Sequence, residues 1–145
     1  MEQSNKIVTD INYLHRPCEW VKETDHIEQT MFTLLRKMVE HHVWGLAANQ
    51  IRVPLRIFVM RVEPNTPICV VNGIIVKSKG ADVGNEMCLS LPGITMMLRR
   101  PREVVLTGVN QYFRPVKYRL KGLRARIACH EMDHLCGKLI IDYEV

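Results

Sequence analysis

The chain of 145 residues has no long apolar run, few aromatic residues and no cysteine pattern typical of a disulfide framework. Phe, Trp and Tyr together make up 6% of the residues, and no apolar run approaches the roughly 20 residues that a membrane-spanning helix needs. Residues 1–6 lack the apolar core of a signal peptide and the Arg-rich pattern of a transit peptide. We therefore expect neither a membrane protein nor a secreted one.

The cysteine count indicates the compartment. Five cysteines, an odd number without regular spacing, favour a reducing environment over a disulfide-stabilised fold. We therefore expect the protein to be cytoplasmic.

Charge and composition indicate the broad class of protein. The net charge is +5, and the basic residues are scattered apart from clusters at 99–102 and 117–126. No pattern of stacking aromatics or helix-turn-helix signal accompanies these charges, so sequence-specific nucleic-acid binding is not predicted. The apolar fraction of 47% and the charged fraction of 24% are typical of a globular protein. We expect one domain covering residues 1–145.

The strongest chemical signal lies near the end of the chain, where His130, Glu131 and His134 form an H-E-x-x-H pattern. On a helix with 3.6 residues per turn, His130 and His134 lie on one face, so that both imidazoles can reach a single metal ion. Glu131 lies beside them as a candidate general base. The alternative is that two histidines and a carboxylate share a solvated face by chance.

The third ligand is not fixed by this pattern. The chain ends at Val145, eleven residues past His134, which leaves little room for a downstream ligand of the thermolysin type. In the longer zinc-peptidase pattern Gly137 is in place, but Ile140 stands where the last histidine should be. An upstream cysteine is the natural candidate. Cys129 and Cys136 are interpreted as packing residues, and spacing leaves three candidates open, with Cys88 the best of them: Cys18, Cys69 and Cys88.

Periodicity predicts two helices and several strands. Apolar residues at spacings of three and four predict an amphipathic helix over 25–42, begun by a capping pair of Asp25 and Glu28. A second helix, which carries the histidines, is predicted from Gly122 to about Cys136 and is ended by Gly137. Residues 1–23 are expected to form a loop with one short extended piece. Strands are predicted at 56–62, 68–77, 102–109 and 116–120, in an antiparallel or mixed sheet.

Three blocks of sequence resemble the signature motifs of the peptide deformylases. They are Gly45-Leu46-Ala47-Ala48-Asn49-Gln50, Glu86-Met87-Cys88-Leu89-Ser90 and His130-Glu131-Met132-Asp133-His134, in the order and at the spacing of that family. The resemblance implies an α+β fold with mixed or antiparallel sheets packed around a central metal-binding helix. It implies a metal-dependent hydrolase that removes the N-formyl group from the formyl-methionine of newly made polypeptides and releases formate.

The resemblance also assigns roles to residues. It selects Cys88 as the ligand beside His130 and His134, with one divalent ion: Fe(II) natively, and Zn(II), Ni(II) or Co(II) as substitutes. It makes Glu131 the general base, and it implies that Gln50 and the backbone N–H of Leu89 stabilise the oxyanion. In the family the substrate binds extended beside a strand edge, along which the resemblance places Gly45, Glu86 and Leu89. Trp44 is expected at the rim of the cleft. From their positions on the helix of the histidines, Ile127 is expected to form a wall of the substrate pocket and Arg126 to lie at the cleft mouth.

The chain departs from the family pattern at several positions. Val43 replaces a glycine, Trp44 follows it at the cleft rim, and Met87 replaces the glycine before the cysteine. Cys129 replaces a glutamine, and Thr95 replaces a larger polar residue, often arginine. None of these changes removes a ligand or the base, so we expect them to affect substrate fit.

The expected partners are N-formyl-methionyl peptides and nascent chains, with transient proximity to the ribosome, no membrane and a monomeric state. Several relatives continue into a C-terminal helix beyond this point, so we expect a short form of the kind carried by a phage or an organelle. The expected location is then the cytoplasm of a bacterium or of a phage-infected host, or an organelle. The alternatives are a metallopeptidase, which the missing downstream ligand disfavours, and an inactive peptide-binding relative, which the intact Glu131, Gln50 and Cys88 disfavour.

Overall fold

The structure, a computed structural model, describes residues 6–143. The strands are β1 (Gly45–Ala47), β2 (Ile57–Glu63), β3 (Thr66–Lys79), β4 (Asp82–Met87), β5 (Thr95–Arg100), β6 (Glu103–Val109) and β7 (Pro115–Lys121). Five of them form an antiparallel sheet in the order β1-β2-β3-β6-β7, accompanied by a separate hairpin of β4 and β5. The helices are α1 (Ile11–Leu14), α2 (Glu28–Glu40) and α3 (Leu123–Leu135), with 3₁₀ turns at Ala48–Ile51 and Ile140–Asp142.

The part of the sheet formed by β1, β2 and the first half of β3 is buried between α2 and α3. Successive side chains of a strand point to opposite faces, and β2 buries both sets: Phe58 and Met60 join the α3 side, whereas Ile57 and Val59 join the α2 side. α3 contributes small residues such as Ala125 and Ala128 to its cluster, which lets the helix backbone approach the sheet. A third apolar cluster lies between the β4–β5 hairpin and the two ends of the chain. The α+β fold expected from the sequence is confirmed.

The four predicted strands are present, within about two residues of the expected bounds. Three further strands were not predicted, namely β1, β4 and β5. The strand pairs are all antiparallel, and the parallel pairing found in residues 6–143 is limited to an isolated bridge between Glu19 and Leu55.

The predicted start of the first long helix is wrong in detail. α2 begins at Glu28, and its N-cap residue Ile27 makes no side-chain capping bond. Asp25 instead accepts a hydrogen bond from the backbone N–H of Lys22 at 2.8 Å, which closes a turn before the helix. The segment expected to be a loop contains the short helix α1, capped by Asp10. Its residues 1–5 lie outside the described part of the chain.

The helix of the histidines agrees closely with expectation. Gly122 precedes α3 with φ of 59°, and Gly137 follows it with φ of 76°. A Cβ on Gly137 would also collide with the backbone carbonyl of His15. Gly137 is therefore required both by its backbone conformation and by the close approach of another segment. None of the helices within residues 6–143 is long and apolar enough to cross a membrane.

Candidate active site and metal centre

Two elements bring together three side chains that can bind a metal. Cys88 follows directly after β4, and His130 and His134 lie one turn apart on α3. One candidate ligand atom from each of the three lies within 4.8 Å of the other two. The Cys88 Sγ is 3.4 Å from the Nε2 of His134, and the two imidazole centroids are 5.1 Å apart. Cys18 and Cys69, the other two open candidates, pack in separate apolar clusters.

The donor set fits a divalent transition metal. Thiolate and imidazole are ligands of zinc, iron, nickel and cobalt, and three protein ligands leave a coordination position open. The Nδ1–H of His130 donates to the Oε1 of Glu86 at 3.0 Å, which leaves Nε2 of His130 for a metal. Such a carboxylate–histidine pair orients the ring and increases the basicity of the ligand.

The candidate base lies beside this cluster. The Glu131 side chain is buried, and its Oε1 has no hydrogen-bond partner within residues 6–143. A buried carboxylate oxygen without a partner is costly and rare in native structures, so it points to a group or a solvent molecule that binds there. A Cβ on Gly45 would lie 2.6 Å from the Oε2 of Glu131, so β1 passes directly beside the carboxylate and has no side chain at that point.

Burial perturbs the ionisation of these groups. It raises the pKa of Glu131 to about 7, against the lowering effect of His130. Burial, with His130 and Arg100, lowers the pKa of His134, so this imidazole is neutral as a metal ligand must be. Burial would also lower the pKa of His130, but its hydrogen bonds to Cys88 and Glu86 outweigh that effect and raise the pKa to about 10. This imidazole is therefore protonated near neutral pH without a metal, and a bound ion would have to displace the proton on Nε2.

Gln50 reaches the same place from the 3₁₀ turn after β1. Its Oε1 accepts from the backbone N–H of Ala47 at 3.0 Å, and its Nε2 donates to the Oγ of Ser90 at 3.0 Å. The same Nε2 is 3.8 Å from the Cys88 Sγ. These bonds fix the amide group next to the candidate metal ligand, although the predicted oxyanion role of Gln50 and Leu89 stays a prediction.

A charged network behind the ligands was not foreseen from the sequence. Arg100, which is 4% exposed, binds Glu86 through two hydrogen bonds of 2.7 and 2.8 Å. It also binds Asp133 at 2.7 Å and Tyr143 at 2.9 Å. Burial disfavours the ionised carboxylate of Glu86, but the bonds from Arg100 and His130 prevail and lower its pKa to about 2. The run of arginines in β5 was the available signal, but nothing in it indicates which arginine is buried.

A cleft of about 230 Å³ opens onto the candidate site. It gathers all the residues predicted to bind substrate. The Glu86 carboxylate is bonded within the charged network, and Arg126, expected at the mouth, lines the cleft and binds that carboxylate. Thr95 is exposed on β5 outside the cleft, and Cys136, expected to pack, is exposed. The predicted site residues that line the cleft are Trp44, Gly45, Gln50, Glu86, Cys88, Leu89, Arg126, Ile127, His130 and Glu131.

The sequence of the chain is similar to the sequences of known proteins. Residues 5–144 match the family profile described as polypeptide deformylase. A peptide deformylase of Dictyoglomus thermophilum is 38% identical over 128 residues, which cover 86% of this chain and 83% of the relative. One of Lachnoclostridium phytofermentans is 33% identical and covers 98% of this chain and 89% of the relative.

Solved structures of other proteins share the fold of this chain. The peptide deformylase of Thermotoga maritima superimposes with a TM-score of 0.90 at 31% identity, covering 97% of each chain. The PDF of the Vibrio parahaemolyticus bacteriophage VP16T, solved in complex with actinonin, gives a TM-score of 0.87 at 34% identity and covers 93% of this chain and 99% of that one. On the profile match and on these identities, the chain belongs to the polypeptide deformylase family.

Proposed function

We propose that Cys88, His130 and His134 hold the divalent ion with which this metal-dependent hydrolase removes the N-formyl group from the formyl-methionine of newly made polypeptides. The observation that carries the assignment is the convergence of three ligand atoms within 4.8 Å, beside the buried and unpartnered Oε1 of Glu131. When bound, the ion supplies a Lewis acid that polarises the formyl carbonyl and lowers the pKa of a water molecule.

Glu131 moves the protons of the reaction. Its carboxylate takes a proton from the attacking water and later delivers a proton to the leaving amine nitrogen, so that formate and a free N-terminus are released. The position beside Gly45, where β1 has no side chain, lets the substrate carbonyl approach this carboxylate. The Nε2–H of Gln50 and the backbone N–H of Leu89 donate to the oxygen that becomes negative in the transition state.

The substrate backbone binds along β1. This strand pairs with β2 on one side, and within residues 6–143 no strand pairs with its other side. An extended peptide can therefore add to the free edge and use main-chain hydrogen bonds for affinity. The cleft next to that edge, with Trp44, Ile127 and Met87 in its lining, receives the methionine side chain.

The test is formate release from formyl-Met-Ala-Ser by protein purified without oxygen and reloaded with Fe(II) or Ni(II). The Cys88→Ala variant is expected to lose bound metal and activity together. Cys136→Ala is the matched control, because Cys136 is exposed and its thiol lies outside the ligand cluster. Metal-dependent release that survives in Cys88→Ala would reject the assignment of this ligand.

We further propose that the native ion is Fe(II) and that the protein acts as a monomer in the cytoplasm, close to the ribosome that supplies its substrate. The donor set suits iron as well as zinc, nickel and cobalt. The five cysteines are all free, which suits a reducing compartment. Metal analysis of anaerobically purified protein tests the identity of the ion, light scattering tests the monomeric state, and cosedimentation with ribosomes tests the proximity to the ribosome.

A further inference from the structure

Arg126 connects the two elements that carry the metal ligands. It lies on α3, one turn before His130, and its Nη1 donates to the Oε2 of Glu86 at 2.8 Å. Nη1 also donates to the carbonyl of Leu98 at 3.1 Å, and Nη2 donates to the carbonyl of Asp82 at 3.0 Å. The side chain is 13% exposed. Its guanidinium thus binds β4 and β5, although its backbone belongs to α3.

Arg126 shares the Glu86 carboxylate with His130. Oε2 of Glu86 accepts from Arg126, and Oε1 accepts from the Nδ1 of His130. Because positions i and i+4 of a helix lie on the same face, α3 holds this carboxylate at two points one turn apart. Glu86 is two residues before Cys88 in the sequence, so the same bond restrains the distance between α3 and the ligand that follows β4.

The strand opposite Arg126 leaves space for the guanidinium. A Cβ on Gly84 of β4 would lie 3.2 Å from both Cζ and Nη2 of Arg126. The guanidinium therefore lies against the strand backbone at a position without a side chain. A methyl group there would require the guanidinium to shift by a few tenths of an ångström, without removing any charged residue of the network.

We propose that Arg126 is a positioning residue for the metal site. It fixes the Glu86 carboxylate against α3, which orients the His130 ring and sets the separation between Cys88 and the two histidines. This inference rests on the ligand set proposed above. Arg100 alone cannot do the same, because it extends from β5 and reaches α3 only at Asp133, whereas Arg126 binds Glu86 from the ligand helix itself.

The test is the affinity for Co(II), measured on metal-stripped protein by competition with a chelator, together with the Co(II) absorption spectrum. Arg126→Met is expected to weaken binding by about 10–100-fold, as the loss of a partner that orients a metal ligand does elsewhere, and to shift the spectrum. Arg126→Lys keeps the charge without the planar fork, and its Co(II) affinity is expected to lie between those of the unaltered protein and Arg126→Met. Arg124→Met is the matched control, because Arg124 lies on the same helix but binds Glu63 and the carbonyl of Val62, away from the site.

Gly84→Ala gives an independent test without a change of charge. It is expected to weaken Co(II) binding less than Arg126→Met does, and to add no further loss in the Arg126→Met background, because both changes act on the same contact. Losses that simply add would overturn the proposal. If Arg126→Met does not fold, Arg126→Lys and Gly84→Ala carry the comparison.

Different results would contradict the proposed ligand set and the proposed role of Arg126. If the unaltered protein binds Co(II) no more tightly than Cys88→Ala does, the proposed ligand set is rejected. If the unaltered protein binds tightly and Arg126→Met keeps the same affinity and spectrum, the ligand set stands and the positioning role of Arg126 is rejected.

Discussion

At the residue scale, Glu131 combines burial with an unpartnered oxygen, next to the imidazoles that can hold a metal. A carboxylate kept only for stability would be expected to have partners for both oxygens, as Glu86 does. The cost of leaving Oε1 unpaired is consistent with an oxygen that serves the reaction rather than the fold.

The Glu131→Gln variant is therefore expected to keep the metal and lose turnover. The amide has the shape of the carboxylate but cannot accept the proton of the attacking water, so the rate should fall by about 10²–10⁴-fold. Formate release and metal content, measured on the same preparation, check this. Near-normal activity with metal bound would show that another group is the base.

Gly45→Ala tests the same carboxylate from the side of the strand. The added Cβ would lie 2.6 Å from the Oε2 of Glu131 and 2.9 Å from the Cγ2 of Ile127, so both side chains must move. A displacement of about 1 Å in a reacting group can cost about 10²-fold in rate, and we expect a loss of that order. The far-UV circular dichroism and the metal content should stay as in the unaltered protein. Activity close to the original would mean that the base tolerates the shift.

At the scale of elements, Arg100 links four separate parts of the chain. From β5 its guanidinium reaches Glu86 on β4, Asp133 on α3 and Tyr143 near the end of the described chain. The hydroxyl of Tyr143 in turn donates to Asp133 at 2.6 Å, so Arg100, Asp133 and Tyr143 are bonded to one another. A network of this kind specifies how the hairpin is docked on the helix.

Arg100→Met is expected to lower the free energy of unfolding by about 3 kcal/mol, because it leaves the partly buried Asp133 without its arginine. It also takes two hydrogen bonds from the buried carboxylate of Glu86, which keeps its bonds to Arg126 and His130. Urea unfolding of metal-stripped protein measures this without a contribution from the ion. Arg102→Met is the control: Arg102 also pairs with a carboxylate, Asp82, but both side chains are about half exposed, and the loss should be at most about 1 kcal/mol. Equal losses in the two variants would contradict the structural role of the buried network.

Local patterns explain which elements could be predicted. α2, α3 and the strands β2, β3, β6 and β7 carry apolar periodicity or β-branched runs within their own sequences, so their positions followed from the residues themselves. β1 has only three residues. β4 carries Asp82, Gly84, Asn85 and Glu86, and it becomes a strand because it pairs with β5 and because its glutamate is neutralised by distant arginines.

The residues of the candidate site also differ in whether a local sequence pattern could predict them. The spacing of His130, Glu131 and His134 is a property of one helix and could be derived from the sequence. Cys88 is 46 residues from His134, and spacing left it among three candidates until the family resemblance selected it. The partners of Glu86 come from β5 and from α3, so no local pattern could have identified Arg100 and Arg126 as the residues that hold it.

At the scale of the whole molecule, the proposed metal adds to the ion pairs of Arg100 and Arg126 in joining parts of the chain that belong to different apolar clusters. Cys88 packs with the hairpin and with segments near both ends of the described chain, whereas α3 packs against the sheet. We propose that residues 1–145 form one domain that unfolds in a single transition. A ligand that bridges the two clusters in the folded state then stabilises the whole molecule by mass action.

Metal binding is therefore expected to raise the melting temperature of the stripped protein. At a free Ni(II) or Co(II) concentration 100 times the Kd, the gain is about 2.7 kcal/mol, which for a domain of this size corresponds to a rise of about 5–10 °C. Cys88→Ala loses the bridge from the hairpin and should show little of this rise, whereas Cys136→Ala should show all of it. An equal rise in Cys88→Ala would mean that α3 alone binds the ion, and that the metal does not join the hairpin to the helix.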